Sequence, residues 1–152
     1  MPPSINGREK GGRFEREIAK VFSEWTGEVW DRVFRSGGGK AKGDISPVNA
    51  GSRFCIELKR RECFSIDLLW QGKGEALEWW LKLKKEAREG KQMPMLIAKR
   101  NRSPTMVILD SKGWNHLFEV PPKRYVHLTT LDIFVVDMNE MISMSSGKSI
   151  LK

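Results

Sequence analysis

The chain has 152 residues and 17.5 kDa, the length of one domain, and a chain of that size buries about two-thirds of its surface on folding. Apolar residues at 39%, with six Trp and seven Phe, supply a packed core, and 30% charged residues supply a wet surface, which excludes disorder of the whole chain. Twenty-seven Lys and Arg against nineteen Asp and Glu leave +8, a surplus that favours a polyanionic partner such as nucleic acid, although membrane-surface proteins and many soluble proteins share it.

Residues 1–12 carry Pro, Gly and Lys and are expected as a flexible basic arm, ahead of one domain over residues 13–142 and a frayed tail over 143–152. Over residues 13–26, Phe14, Ile18, Val21, Phe22 and Trp25 recur on one helical face, and Gly27 supplies the stop. Residues 29–35 alternate as a strand, and residues 36–43 form a Gly- and Lys-rich loop. Residues 45–48 and 52–60 read as a hairpin turning around Pro47, Asn49 and Gly51, with Phe54, Ile56 and Leu58 on the core face. Residues 64–72 give no clear pattern. A second helix is expected over residues 74–89, stopped by Gly90, then strands over 93–99 and 105–110 and a short helix near 112–118. Over residues 128–142, Leu131, Phe134, Val135, Met138, Met141 and Ile142 fit a helix while the run from Ile133 to Val136 fits a strand; helix is the expectation. The order predicts an α/β fold with a mixed central β-sheet flanked by helices.

Residues 82–102 hold eight Lys or Arg and two Glu, whereas residues 129–142 hold Asp132, Asp137 and Glu140 without a base, so one face is expected to be basic and another acidic. A basic face suits a molecule that lies on a phosphate backbone. No run nears the roughly 18 apolar residues of a membrane span, and residues 1–12 lack the apolar segment of a signal peptide, so a cytoplasmic location without membrane partners is expected. Cys55 and Cys63 are too few for a disulfide scaffold or a zinc site and should stay reduced there.

Strand alternation puts Glu57 and Lys59 together on the face opposite Phe54, Ile56 and Leu58. A hairpin would set Asp44 beside Glu57, and two carboxylates held close repel unless a divalent cation lies between them, for which hard Mg²⁺ or Mn²⁺ is the natural choice. Such an ion polarises a phosphoryl oxygen and activates a water, and Lys59 can orient that water or stabilise transition-state charge, which suits phosphodiester hydrolysis. Ordinary readings stand beside this one. Glu-x-Lys commonly marks a solvated strand face, Asp44 after Gly43 a turn, and Glu15 and Glu17 solvent-facing charges near a helix start.

PheGluArgGlu on the first helix, ArgSerGlyGlyGly, GlyAspIle and IleGluLeuLys, in this order, resemble the PD-(D/E)xK nuclease superfamily and within it the archaeal-type Holliday junction resolvases with their phage-borne relatives. The resemblance spans residues 8–110 and implies a restriction-endonuclease-like core. By position it implies metal-binding acids at Asp44 and Glu57, the Leu58 carbonyl as a further ligand, and a catalytic lysine at Lys59. It also places the helix-one acid at Glu15, reaching the metal directly or through water, with Arg16 beside it. Arg35 and Ser36 match the pair expected at the scissile phosphate. Gly37, Gly38, Gly39, Lys40 and Lys42 match a mobile loop where backbone approaches DNA closely. The implied cofactor is Mg²⁺, with Mn²⁺ as a substitute. The implied partners are four-way junction DNA in recombination and repair and a second copy of the chain, in the host cytoplasm for a phage-borne protein. Residues 64–74, with Gln71 and Lys73, and the stretch after Asp110 have no counterpart in the resemblance.

Cleavage by metal-activated water, leaving 5′-phosphate and 3′-hydroxyl ends, is what the resemblance implies for activity. The alternatives are another PD-(D/E)xK DNA nuclease, restriction-like or engaged in repair or phage DNA processing, and a non-catalytic basic nucleic-acid-binding protein whose acids and lysine form an ion-pair network. Leu77, Trp80, Leu81 and Leu83, with Trp70 and Trp79 nearby, exceed what one side of a small sheet needs and point to a dimer interface, to core, or to base stacking. Cys55 shares the strand face of Glu57 and Lys59 and is read as packing.

Overall fold

In the computed structural model, which describes residues 7–34 and 42–152, the chain runs α1 (Gly7–Thr26), β1 (Trp30–Arg32), β2 (Ile45–Pro47), β3 (Phe54–Arg61), α2 (Asp67–Trp70), α3 (Glu75–Glu89), β4 (Met93–Arg100), β5 (Met106–Leu109), α4 (Ser111–Leu117), β6 (Tyr125–Leu128), β7 (Ile133–Asp137), α5 (Met138–Met144) and a closing 3₁₀ turn (Gly147–Ile150). Helix α1 starts at Gly7, so the second half of the expected arm is helical; Arg8, Glu9 and Lys10 are good helix formers. Its stripe of Phe14, Ile18 and Phe22 is buried, and Gly27, with φ of +79°, ends it. No helix among the described residues is long and apolar enough to cross a membrane.

The central sheet has the order β3-β4-β5-β7-β6, with β3 and β4 parallel and the other pairs antiparallel, which is the mixed sheet expected. Parallel pairing demands a crossover, and α3 supplies it. Helices α1, α4 and α5 pack with Phe54, Ile56 and Leu58 on one face; α3 packs with Cys55, Leu96 and Ala98 on the other. Strand β4 therefore reads Met95-Leu96-Ile97-Ala98 without alternation, because both of its faces are covered.

Two more expectations are corrected in the strands. Strand β2 makes no hairpin with β3: it pairs antiparallel with β1, Trp30 opposite Pro47 and Arg32 opposite Ile45. Pro47 has no N–H with which to extend a ladder, and β2 meets β3 at the residue ahead of it, where the Asp44 N–H donates to the Ile56 carbonyl at 2.7 Å. Of residues 128–142, expected as one helix, only 138–142 are helical, in α5; Leu128 ends β6 and residues 133–137 form β7. Ile133 and Val135 join the core on the α3 side while Phe134 and Val136 lie on the side of α4 and α5, Phe134 stacked on Trp114, so the β-branched run is buried on both faces as a strand. Asp132, at φ of +50°, turns the chain into it, and Asp137 caps α5 by accepting from the Asn139 N–H at 2.8 Å.

The tail is also packed rather than frayed. Ile150 is fully buried beside α1, the Arg53 N–H donates to its carbonyl at 2.8 Å, and Ser52 bridges Leu151. Gly147 lies so close to the Trp25 carbonyl that a Cβ would collide with it. Ile150→Ala is expected to lower the unfolding free energy by about 2–5 kcal/mol in urea denaturation. A loss below about 1 kcal/mol would show that the tail adds nothing to the core.

Candidate active site

The Gly43–Asp44 step is what joins the two sheets. Gly43 has φ of +87°, and a Cβ there would stand 2.6 Å from the Ile56 carbonyl oxygen, so glycine alone lets the chain pass this close to β3. Asp44 follows and is fixed on three sides. Its N–H donates to the Ile56 carbonyl at 2.7 Å, its carbonyl accepts from the Val33 N–H at 2.8 Å, and its Oδ2 accepts from the Leu58 N–H at 2.8 Å. Its carboxylate thus lies against the peptide that links Glu57 to Leu58. By the two-residue repeat of a strand, the Leu58 carbonyl points from the same edge of β3 as the Leu58 N–H.

Glu57 and Lys59 project from the other face of β3, as alternation predicts, with Lys59 Nζ 3.4 Å from Glu57 Oε1 and both side chains about one-fifth exposed. They line a cavity of about 210 Å³ against α3, closed by Trp79, Leu83 and the polar row Glu78, Lys82 and Glu86. Lys59 Nζ also sits 5.8 Å from the centre of the Trp79 ring, close enough for a cation–π contact. Glu86 reaches across to accept from the Gly43 N–H at 3.0 Å, so α3 helps to place the Asp44 turn. The sequence marks neither Glu78 nor Glu86 as functional, although Glu78, Lys82 and Glu86 recur every four residues, the mark of one helical flank.

Glu15 is placed differently. Its Oε2 accepts from Arg32 Nε at 2.6 Å, both side chains being about one-quarter exposed, and the Arg16 and Arg32 guanidinium groups converge beside Gly12. Among the described residues no three of His, Cys, Asp and Glu gather into a metal-holding cluster. Lys42 runs along the end of α3, with Nζ 4.0 Å from Glu89. Arg35, Ser36, Gly37, Gly38, Gly39 and Lys40 lie outside the described residues. Cys55 is fully buried under α3, as packing.

Of the apolar residues read as an interface, Trp80 and Leu83 are core and Leu77 is partly buried against it, whereas Leu81 and Trp70 are exposed. Trp79 lies edge-on to Phe64, with ring centres 5.4 Å apart.

The oxygen donors around this part of β3 are two half-buried carboxylates, Asp44 at its edge and Glu57 on its face, and the Leu58 carbonyl. All are hard oxygens, the chemistry that Mg²⁺ and Mn²⁺ select, and Mg²⁺ commonly completes its shell with water and substrate phosphate oxygens. The residues present therefore fit a divalent ion.

The profile of the family described as "Phage putative PDDEXK endonuclease" matches residues 6–151. Protein D14 of Escherichia phage T5 is 33% identical over 117 residues, which cover 71% of this chain and 73% of that protein. A 1.6 Å structure of the Holliday junction resolvase Hjc of Archaeoglobus fulgidus superposes with a TM-score of 0.42 at 18% identity, over 92% of this chain and 98% of that one. Nearly the whole chain thus lies within one family's profile, and it belongs to the phage PD-(D/E)xK endonucleases.

Proposed function

We propose that the chain is a Mg²⁺-dependent endonuclease that cuts four-way DNA junctions, with Asp44, Glu57 and the Leu58 carbonyl holding the ion and Lys59 acting on the reacting phosphate. The observation that carries the reading is the seat of the Asp44 carboxylate on the Leu58 N–H, beside the Glu57–Lys59 pair. The chemistry a bound divalent cation supplies there is Lewis acidity toward a phosphoryl oxygen and toward water. Lys59 contributes a fixed positive charge where negative charge grows in the transition state. Its pairing with Glu57 and its place over Trp79 hold that charge in one position before substrate arrives. Glu15 and Arg32 form a second charged pair, and the guanidinium groups of Arg16 and Arg32 supply cations for the flanking phosphate. Arg35, Ser36 and the loop Gly37, Gly38, Gly39, Lys40 and Lys42 contact DNA beside the cut, and Mn²⁺ replaces Mg²⁺.

Junction selectivity is supported by the order of the motifs ArgSerGlyGlyGly, GlyAspIle and IleGluLeuLys. Incubation with four-way junctions, linear duplexes and flaps in Mg²⁺ tests it. Paired symmetric nicks on the junction alone are expected; equal cutting of linear duplex overturns junction selectivity in favour of a phage DNA-processing nuclease. A homodimer accompanies the reading, supported by the exposed Leu81 and Trp70, which the core leaves out. Leu81→Asp is expected to shift the protein from dimer to monomer in light scattering, and a dimer that survives with unchanged affinity removes α3 from the interface.

A further inference from the structure

A groove of about 770 Å³ opens where β3 and β4 begin, lined by Arg53, Lys84, Arg88, Lys91, Lys112 and Lys152. None of these six cations forms an ion pair among the described residues. Asp110 is the acid in the lining among the described residues, and its Oδ1 is engaged in capping α4 through the Gly113 N–H at 2.8 Å. Six like charges gathered around one groove repel one another, and an arrangement that is unfavourable in the free protein is relieved by a polyanion.

The position relative to the cutting site is informative. At 100° per residue, the buried stripe of α3 is Ala76, Trp80, Leu83 and Ala87. Glu78, Lys82 and Glu86 fall on one flank of it, facing the cavity of Glu57 and Lys59, and Lys84 and Arg88 fall on the other. The two openings share no lining residue. The cavity and the groove thus lie on opposite flanks of a helix about 10–12 Å wide.

We propose that this groove binds a second DNA backbone segment, distinct from the one being cut: the opposite strand of the same duplex or another arm of a branched substrate. The proposal rests on DNA as the substrate. The full chain is titrated in EDTA with a linear duplex and with a four-way junction over a series of salt concentrations. The triple variant Lys84→Ala/Arg88→Ala/Lys112→Ala is compared with a control of equal charge change outside the groove, Lys20→Ala/Lys123→Ala/Lys148→Ala.

The groove triple is expected to weaken binding at least about tenfold and to flatten the slope of log affinity against log salt by about 2–3, and the control triple by less than half as much. A loss on both DNAs assigns the groove to the opposite strand of the bound duplex; a loss on the junction alone assigns it to another arm. Equal losses for the two triples overturn the proposal, since net charge alone then explains them. Cleavage by the unaltered chain in Mg²⁺ is scored separately, so a protein that binds DNA without cutting it costs the nuclease reading and leaves the groove comparison decisive.

Discussion

Glu57→Gln is expected to yield a folded protein that binds DNA and has lost cleavage by at least about a thousandfold. The substitution keeps the size of a half-buried side chain while removing the charge that pairs with Lys59 at 3.4 Å and one of the hard oxygen donors around β3. Lys59→Ala should lose about 10²–10³, because removing one preorganised charge near the reacting group costs on that order in rate. Residues that act as a unit are strongly non-additive, so the double variant should fall little further than the worse single one. Single-turnover cleavage in Mg²⁺, read beside circular dichroism and DNA binding, checks both. A Glu57→Gln protein that cuts within tenfold of the unaltered rate places the chemistry elsewhere.

Gly43→Ala should damage both stability and activity, and for one reason. A left-handed backbone costs a non-glycine residue about 1–3 kcal/mol, and the added Cβ meets the Ile56 carbonyl at 2.6 Å, so the turn must move away from β3. A stability loss of about 3 kcal/mol and a fall in cleavage of about a hundredfold are expected, since a displacement near 1 Å at a reacting centre has that effect. Asp44→Asn separates the two. It keeps the turn and an oxygen to accept from the Leu58 N–H, and should leave stability within about 1 kcal/mol while cleavage is lost. If Gly43→Ala melts and cuts like the unaltered chain, the Asp44 turn does not organise the site.

The elements that the sequence revealed best are those with one face in the core. Phe14, Ile18 and Phe22 announce α1, and the alternation of Phe54, Ile56 and Leu58 with Glu57 and Lys59 announces both β3 and the ion pair on its other face. Where both faces are buried that signal vanishes. The run from Ile133 to Val136 has no polar alternation, and its spacing fits a helix as well as a strand until the cover on each side is known. The pairing of β2 with β1 instead of β3 was hidden for a different reason: a turn around Pro47 and Gly51 looks like a hairpin, and it is the contact of Gly43 with β3 across the fold that decides otherwise. Glu86 escaped notice because its role is a hydrogen bond to a residue forty-three positions away, which periodicity does not encode. The tail lacks an apolar repeat, yet the burial of Ile150 and the backbone contacts of residues 150–152 with residues 51–53 tie it to the core.

Calorimetric titration with Mn²⁺ tests most directly whether the acids around β3 hold an ion. The unaltered chain is expected to show saturable binding that is absent in Asp44→Asn and in Glu57→Gln. Equal binding by all three proteins, or none by the unaltered chain, contradicts the assignment of Asp44 and Glu57 as the metal-holding pair.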